Sequence, residues 1–252
     1  MTQHSPESSA ARVTAIIPAR LASTRLPNKP LLDIAGKPMI QWVYERTSRA
    51  DSVERVMVAT CDEEIVEAVK AFGGEAVMTS EKHRSGTDRL AEVALSLPKE
   101  ALIVNVQGDE PLIEPFAIDQ LAGGIVSSGA EMASLMWRLG PEDDPNSPNL
   151  VKVVVDSRGY ALYFSRSRIP FPRGEVASVF GHIGLYAYRR DFLLEYSRMA
   201  PSPLEKAESL EQLRALENGC GIRMIESDFR PVSVDTQEDL DRVRGIVLTF
   251  DR

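Results

Sequence analysis

The residues able to do chemistry together are concentrated in a few segments of this chain. Residues 12–37, RVTAIIPARLASTRLPNKPLLDIAGK, carry Arg12, Arg20, Arg25, Lys29 and Lys37 against the single acid Asp33, a local balance of +4 in a chain whose formal charge is −8. Guanidinium forks and an ammonium point charge in one loop suit phosphate oxygens, although a charged run can also be a solvated loop. NVQGDEP, residues 105–111, sets Asp109 and Glu110 just after an apolar run. Carboxylates facing a basic loop can hold Mg²⁺ against phosphate oxygens, or can serve as turn and cap residues. Asp235, in SVDTQEDL, ends another apolar, strand-like stretch before a helix, with Thr236 as the alternative cap. HRSGTDR, residues 83–89, offers Ser85, Gly86 and Thr87 at a helix start, with His83 and Arg89 as polar handles. Such a segment is either a capping turn or a set of backbone and hydroxyl groups for a base or ribose.

The elements that must position these residues follow from hydrophobic periodicity. Strand-like runs at Val13–Ile17, Val53–Ala59, Ala76–Met78 and Leu102–Val106 alternate with amphipathic segments at Met39–Ala50, Glu63–Phe72 and Thr87–Leu97. That alternation predicts an α/β fold with a mainly parallel, Rossmann-like sheet flanked by helices, whose ligands sit outside the carboxyl ends of the strands. Asp62 reads as a cap before the second helix, and Gly73-Gly74 as its terminus. A helix near Ile118–Val126 and a strand near Met132–Trp137 follow, then a loop at Pro141–Asn149 rich in Pro, Asp and Asn. Runs at Val151–Asp156, Tyr160–Arg166 and His182–Arg190 predict a smaller β-rich lobe. A helix at Leu204–Glu217, a strand at Ile222–Ile225 and a helix at Gln237–Ile246 return the chain to the main sheet. The expected division is a loose tail at 1–12, a nucleotide-binding part at 13–140, a lobe at 150–200 and a return to the α/β body at 201–252.

Composition excludes several classes. With 43% hydrophobic and 26% charged residues over 252 positions, the chain can bury a core and is not disordered in the main. Its negative charge argues against a general nucleic-acid binder. No apolar run approaches the ~18 residues that cross a bilayer, and the polar start MTQHSPESSAAR has no signal-peptide pattern, so no membrane insertion is expected. Two cysteines, Cys61 and Cys220, neither build a disulfide framework nor match a zinc spacing, and they fit a reducing cytoplasm. Neither GxxxxGK[ST] nor GxGxxG occurs, which disfavours an ordinary P-loop ATPase or a dinucleotide-binding dehydrogenase.

PARLASTRLPNKPL, HRSGTDRL, NVQGDEP, ALYFSRSRIP, HIGLYAYR, SPLEKAESLEQLR and VDTQEDL occur in that order, and the combination resembles the 3-deoxy-manno-octulosonate cytidylyltransferase (CMP-Kdo synthetase) family. The resemblance implies transfer of CMP from CTP to the anomeric 2-hydroxyl of an acidic eight-carbon sugar, release of pyrophosphate, a requirement for Mg²⁺, a role in lipopolysaccharide biosynthesis and a homodimer. It implies that Arg20, Arg25 and Lys29 hold the triphosphate. Ser85, Gly86, Thr87 and Arg89, with His83 nearby and the backbone near Ala19, would hold cytosine and ribose, and Asp109 and Asp235 would ligate the metal. Arg20, Lys29, Asp109 and Asp235 would then carry the reaction. The sugar would lie against Gln107, Arg166, His182, Tyr186, Glu211 and Gln212, drawn from the lobe that also serves dimerisation and from the helix that follows it.

The chain departs from the family pattern at three places. Asn28 stands where glycine is common, and asparagine tolerates the positive φ such a turn needs. Leu21 stands where an aromatic is frequent. Phe171–Gly181 is short, which leaves Kdo and its 8-amino analogue both open as substrates. Transfer to a nine-carbon acylneuraminate, a glycosyltransferase that consumes a nucleotide sugar, and a non-catalytic nucleotide sensor are the alternatives.

Overall fold

The computed structural model describes residues 12–22, 25–83, 85–174 and 178–249, so the expected tail lies, but for Arg12, outside the described residues. β1 (Val13–Pro18) leads through the basic loop and a 3-10 turn at Lys29–Leu31 to a small hairpin, β2 (Asp33–Ile34) and β3 (Lys37–Pro38), then α1 (Met39–Thr47). Strands and helices then alternate: β4 (Val53–Thr60), α2 (Glu63–Ala71), β5 (Ala76–Met78), α3 (Gly86–Ala94), β6 (Leu102–Asn105) and α4 (Pro115–Ser128). The second half holds β7 (Met132–Arg138), β8 (Lys152–Val155), β9 (Ala161–Ser165), β10 (Phe180–Arg189), α5 (Arg190–Tyr196) and α6 (Pro203–Glu208). It closes with α7 (Leu213–Glu217), β11 (Ile222–Glu226) and α8 (Gln237–Val247).

The main sheet runs β11-β7-β10-β6-β1-β4-β5. All of these strands point the same way except β10, which is antiparallel to both neighbours, so the sheet is mainly parallel as the alternating pattern predicts. Its strands read as continuous apolar runs because both faces are covered. Ile40, Val43, Ile65, Val69, Ile118 and Leu121, from α1, α2 and α4, pack on one face. Leu90, Val93, Phe192 and Leu213, from α3, α5 and α7, pack on the other. Each such side chain, fully buried, contributes roughly 1.5–3 kcal/mol. The strands assigned to a separate lobe join this same sheet: β10 lies between β6 and β7, and the β8-β9 hairpin hangs from the start of β10.

Two elements differ from the sequence expectation. The helix expected over 204–217 is broken into α6 and α7, because Ser209 takes a left-handed backbone (φ 53°). The break keeps Leu210 and Leu213 in the core while Glu211 and Gln212 turn toward the cavity between them and the sheet. The strand expected before Asp235 is absent: residues 228–235 run without regular structure to Thr236, which caps α8 with its hydroxyl and Asp239 in a reciprocal pair. Leu240, Val243 and Val247 of α8 pack against Leu26, Ile34 and Met39, and this third cluster draws the C-terminal region onto the basic loop.

Candidate active site

A cleft of about 420 Å³ opens beyond the carboxyl ends of β1 and β6, and its wall includes Arg20, Arg25, Lys29, Gly86, Asp109 and Asp235. Asn28 adopts the left-handed backbone (φ 56°) expected for it and starts the turn that aims Lys29 inward. The Lys29 ammonium donates to Asp109 Oδ2 (2.8 Å), to the Val234 carbonyl (2.9 Å) and to Asp235 Oδ1 (3.1 Å). Burial works against its charge, yet Asp109 and Asp235 beside it hold its pKa above the ordinary lysine value. Arg25 donates to Asp235 Oδ1 (2.9 Å) from a more exposed position. The backbone locks the arrangement, since Val234 N–H donates to the Asp109 carbonyl at 2.9 Å. Asp62 does not cap α2 with its side chain; its carboxylate accepts instead from Leu21 N–H (2.8 Å) and tethers the start of the basic loop.

Ser85 caps α3 in a reciprocal pair with Asp88, and Gly86 lines the cleft beside Pro18. The capping turn is therefore present, and its N-terminal end opens on the cleft. Arg89 is buried, with its guanidinium on the Thr79 hydroxyl and Cys61 Sγ (3.4 Å), while His83 pairs with Glu92; both remain part of the cleft wall. Thr87 faces the other way, toward Glu211 and Tyr188. Gly108 was not singled out in the sequence, although it sits within NVQGDEP. A Cβ there would lie 2.9 Å from the Pro18 carbonyl oxygen, and both partners are backbone. Gly108→Ala is expected to destabilise by about 1–3 kcal/mol and to displace Asp109 enough to lower activity about tenfold. Thermal melting and steady-state kinetics check this, and unchanged values in both would show that the loop has room.

A second, wider cavity of about 770 Å³ adjoins the first, with Gln107 shared between them. His182, Gly184, Tyr186 and Gln212 form one wall, and Arg230 and Arg242, which the sequence analysis did not single out, stand on another. Glu110 turns away from the basic loop into this side, where burial first, and then the neighbouring Asp109 carboxylate, push it up to about 8. A narrow crevice of about 110 Å³ beneath holds Thr87, Asn105, Tyr186, Glu211 and Gln212. Burial raises the Glu211 pKa against the opposing pull of the Thr87 hydroxyl and Arg214, and one of its oxygens is buried without a hydrogen-bond partner. Arg166 is placed differently from the expectation. Its guanidinium donates to the carbonyls of Glu208 (2.8 Å), Pro148 (3.0 Å) and Ser209 (3.4 Å), so it braces the loops around the cavity.

Burial pushes His182 down to about 3. Its folded pKa lies below the unfolded value near 6.5, so the unfolded chain binds the extra proton between these limits and stability falls as pH falls. Relative to His182→Gln, the wild type is expected to lose about 1.4 kcal/mol per pH unit below about pH 6. The difference between the two proteins cancels Glu110, whose shift acts in the opposite sense. Urea unfolding at several pH values measures this, and parallel curves would show that His182 takes up a proton in the folded state.

Asp109 and Asp235 present oxygens to a common point now spanned by the Lys29 ammonium, and among the described residues no histidine or thiolate joins them in a metal-binding cluster. All-oxygen donors in so small a number fit Mg²⁺, which takes the rest of its ligands from phosphates and water. Among the described residues no cluster of three or more metal-binding side chains occurs, so a tighter, all-protein cage is not what these residues offer.

A basic loop facing two carboxylates, at the strand ends of a sheet and beside a second polar cavity, fits a nucleotidyltransferase. Comparison with known proteins agrees: the family model described as cytidylyltransferase matches residues 14–227. The 3-deoxy-manno-octulosonate cytidylyltransferase of Geobacter sulfurreducens is 54% identical over 92% of this chain and 97% of its own length. That of Photobacterium profundum is 49% identical over 93% and 98%. A solved structure described as CMP:2-keto-3-deoxy-manno-octonic acid synthetase complexed with CTP superposes with a TM-score of 0.90 at 46% identity, covering 95% of this chain and 99% of that one. A cytidylyltransferase from Leptospira borgpetersenii shares the fold alone, at TM-score 0.63 and 17% identity over 95% of this chain and 87% of that one. The chain belongs to the cytidylyltransferase family, among its 3-deoxy-manno-octulosonate cytidylyltransferases.

Proposed function

We propose that this protein transfers CMP from CTP to the 2-hydroxyl of 3-deoxy-manno-octulosonate, with release of pyrophosphate, in a Mg²⁺-dependent reaction of lipopolysaccharide biosynthesis. The observation that carries this is the convergence of Lys29, Asp109 and Asp235, three segments distant in sequence, on one point in the wall of the first cavity. The triphosphate lies in the first cavity against Arg20, Arg25 and Lys29. Lys29 exchanges its carboxylate partners for phosphate oxygens, and its charge meets the negative charge that builds on the departing pyrophosphate. Asp109 and Asp235 hold Mg²⁺, which when bound polarises the α-phosphate and favours ionisation of the attacking hydroxyl. The sugar occupies the second cavity against Gln107, His182, Tyr186 and Gln212, with Glu211 in the adjoining crevice and Arg230 and Arg242 supplying positive charge for its carboxylate. The closeness of the curated relatives favours this over acylneuraminate transfer, and two abutting cavities favour it over a sensor of nucleotide alone.

Pyrophosphate release with CTP, UTP or ATP against Kdo, 8-amino-Kdo and sialic acid tests the proposal. Turnover with CTP and an eight-carbon sugar, abolished by chelation of Mg²⁺, is expected; release with sialic acid alone, or none, would defeat it. We further propose a cytoplasmic homodimer. Both cysteines are unpaired, and no described helix is long and apolar enough to cross a membrane. Leu162 on β9 and Phe171 just beyond it are well exposed, at 62% and 81%, and suit a second subunit.

A further inference from the structure

β10 carries a bulge where it passes β7: Ile183 pairs with Leu135 and Tyr186 with Ser134, so Gly184 and Leu185 are extra. Bulges bend a strand and re-aim its side chains. Here the bulge turns the carbonyls of Ile183 and Leu185 onto a single hydroxyl, that of the fully buried Ser134, at 3.1 and 2.9 Å. The same hydroxyl oxygen lies 2.9 Å from His182 Nε2. A serine hydroxyl has one proton and can accept as well as donate, whereas a carbonyl only accepts. With carbonyls as two of its three neighbours, the hydroxyl can give its proton to one of them and meet the imidazole as an acceptor.

We infer that Ser134 is a positioning residue that fixes His182 as the Nε2–H tautomer and so presents Nδ1 as a hydrogen-bond acceptor to a hydroxyl of the bound sugar. Nδ1 has no hydrogen-bond partner among the described residues, and the imidazole forms part of the wall of the wider cavity. Edge contact with Phe164 and tilted contact with Tyr186 hold the ring's orientation. The third carbonyl of the bulge has a parallel effect: Gln107 donates its amide N–H to Gly184 O at 3.1 Å, which leaves Oε1 as an acceptor. The bulge thus gives two neighbouring side chains the same polarity. A wall of acceptors selects hydroxyl donors, as a polyol offers, and disfavours a ligand presenting carbonyl or ether oxygens there. Burial that keeps His182 neutral supports the arrangement, because an imidazolium would donate from both nitrogens.

The inference rests on the proposed sugar cavity, and the test separates the two. Only three histidines occur, His4, His83 and His182, so imidazole nitrogen resonances of isotope-labelled protein are assigned with His182→Gln. The expected spectrum at neutral pH, before any sugar is added, shows a protonated Nε2 and an unprotonated Nδ1. Ser134→Ala is expected to mix the tautomers and to raise KM for the sugar about tenfold, with KM for CTP unchanged; Ser134→Thr, which keeps the hydroxyl, retains the wild-type tautomer. A protonated Nδ1 in the wild type, or a Ser134→Ala spectrum identical to it, would overturn the inference even if a variant were unstable. Absence of turnover with every sugar would defeat the proposed function and leave the spectroscopic result standing.

Discussion

Asp109→Asn is expected to lower kcat/KM about 1000-fold, or ~4 kcal/mol of transition-state stabilisation, while the melting temperature moves by no more than about 4 °C. The substitution keeps the side chain's volume and removes its charge. Its backbone stays pinned, because the carbonyl that accepts from Val234 N–H is untouched. What is lost is the negative charge of one of the two carboxylates proposed to hold Mg²⁺, and with it the nearer ionic partner of Lys29. A site with so few protein ligands has little reserve, so the effect is large, and raising Mg²⁺ is expected to recover part of the rate. Asp235→Asn is expected to resemble it with an added loss of CTP affinity, since Arg25 also depends on Asp235. Steady-state kinetics across a Mg²⁺ series measures both, and an Asp109→Asn enzyme within tenfold of wild type would remove this carboxylate from the reaction centre.

The parallel core was legible because its inner strands are covered on both faces and read as largely apolar runs, with turn residues between them. The basic loop was legible from charge density alone, and Asn28 from its tolerance of positive φ. What remained hidden depends on tertiary closure. Nothing local to SVDT shows that Leu240, Val243 and Val247 bury against the Leu26–Met39 region, yet that packing brings Asp235 to Lys29. Arg166 and the carboxylate of Asp62 looked like ligand groups or caps, but each is drawn to backbone groups that only the folded chain brings within reach. The break at Ser209 was masked by a continuous helical pattern, because a few residues off the helix still place Leu210 and Leu213 in the core. Gly108 is constrained by the Pro18 carbonyl beside it, a contact between the loop after β6 and the end of β1 that no short-range pattern encodes.

Lys29→Met is expected to lower kcat/KM about 100- to 1000-fold through both kcat and KM for CTP, because the ammonium both binds the triphosphate and meets charge that grows as pyrophosphate leaves. Lys29→Arg is not expected to restore it. The ammonium sits 16% exposed among three oxygens, and a planar guanidinium is too wide for that point while its geometry matches a single carboxylate edge-on. The stability cost is smaller, about 1 kcal/mol, since both carboxylates are about one-third exposed and water screens them. Loss of the cation leaves Asp109 and Asp235 facing each other across the vacated point, so Mg²⁺ is expected to stabilise Lys29→Met against heat more than it stabilises the wild type. The double variant Lys29→Met/Asp109→Asn separates cooperation from independent action. If lysine and aspartate serve one triphosphate as a unit, its loss of kcat/KM is far less than the product of the single losses. Multiplicative losses would place the two side chains at separate steps, and turnover within tenfold of wild type in Lys29→Met would show that Arg20 and Arg25 suffice for the departing phosphates.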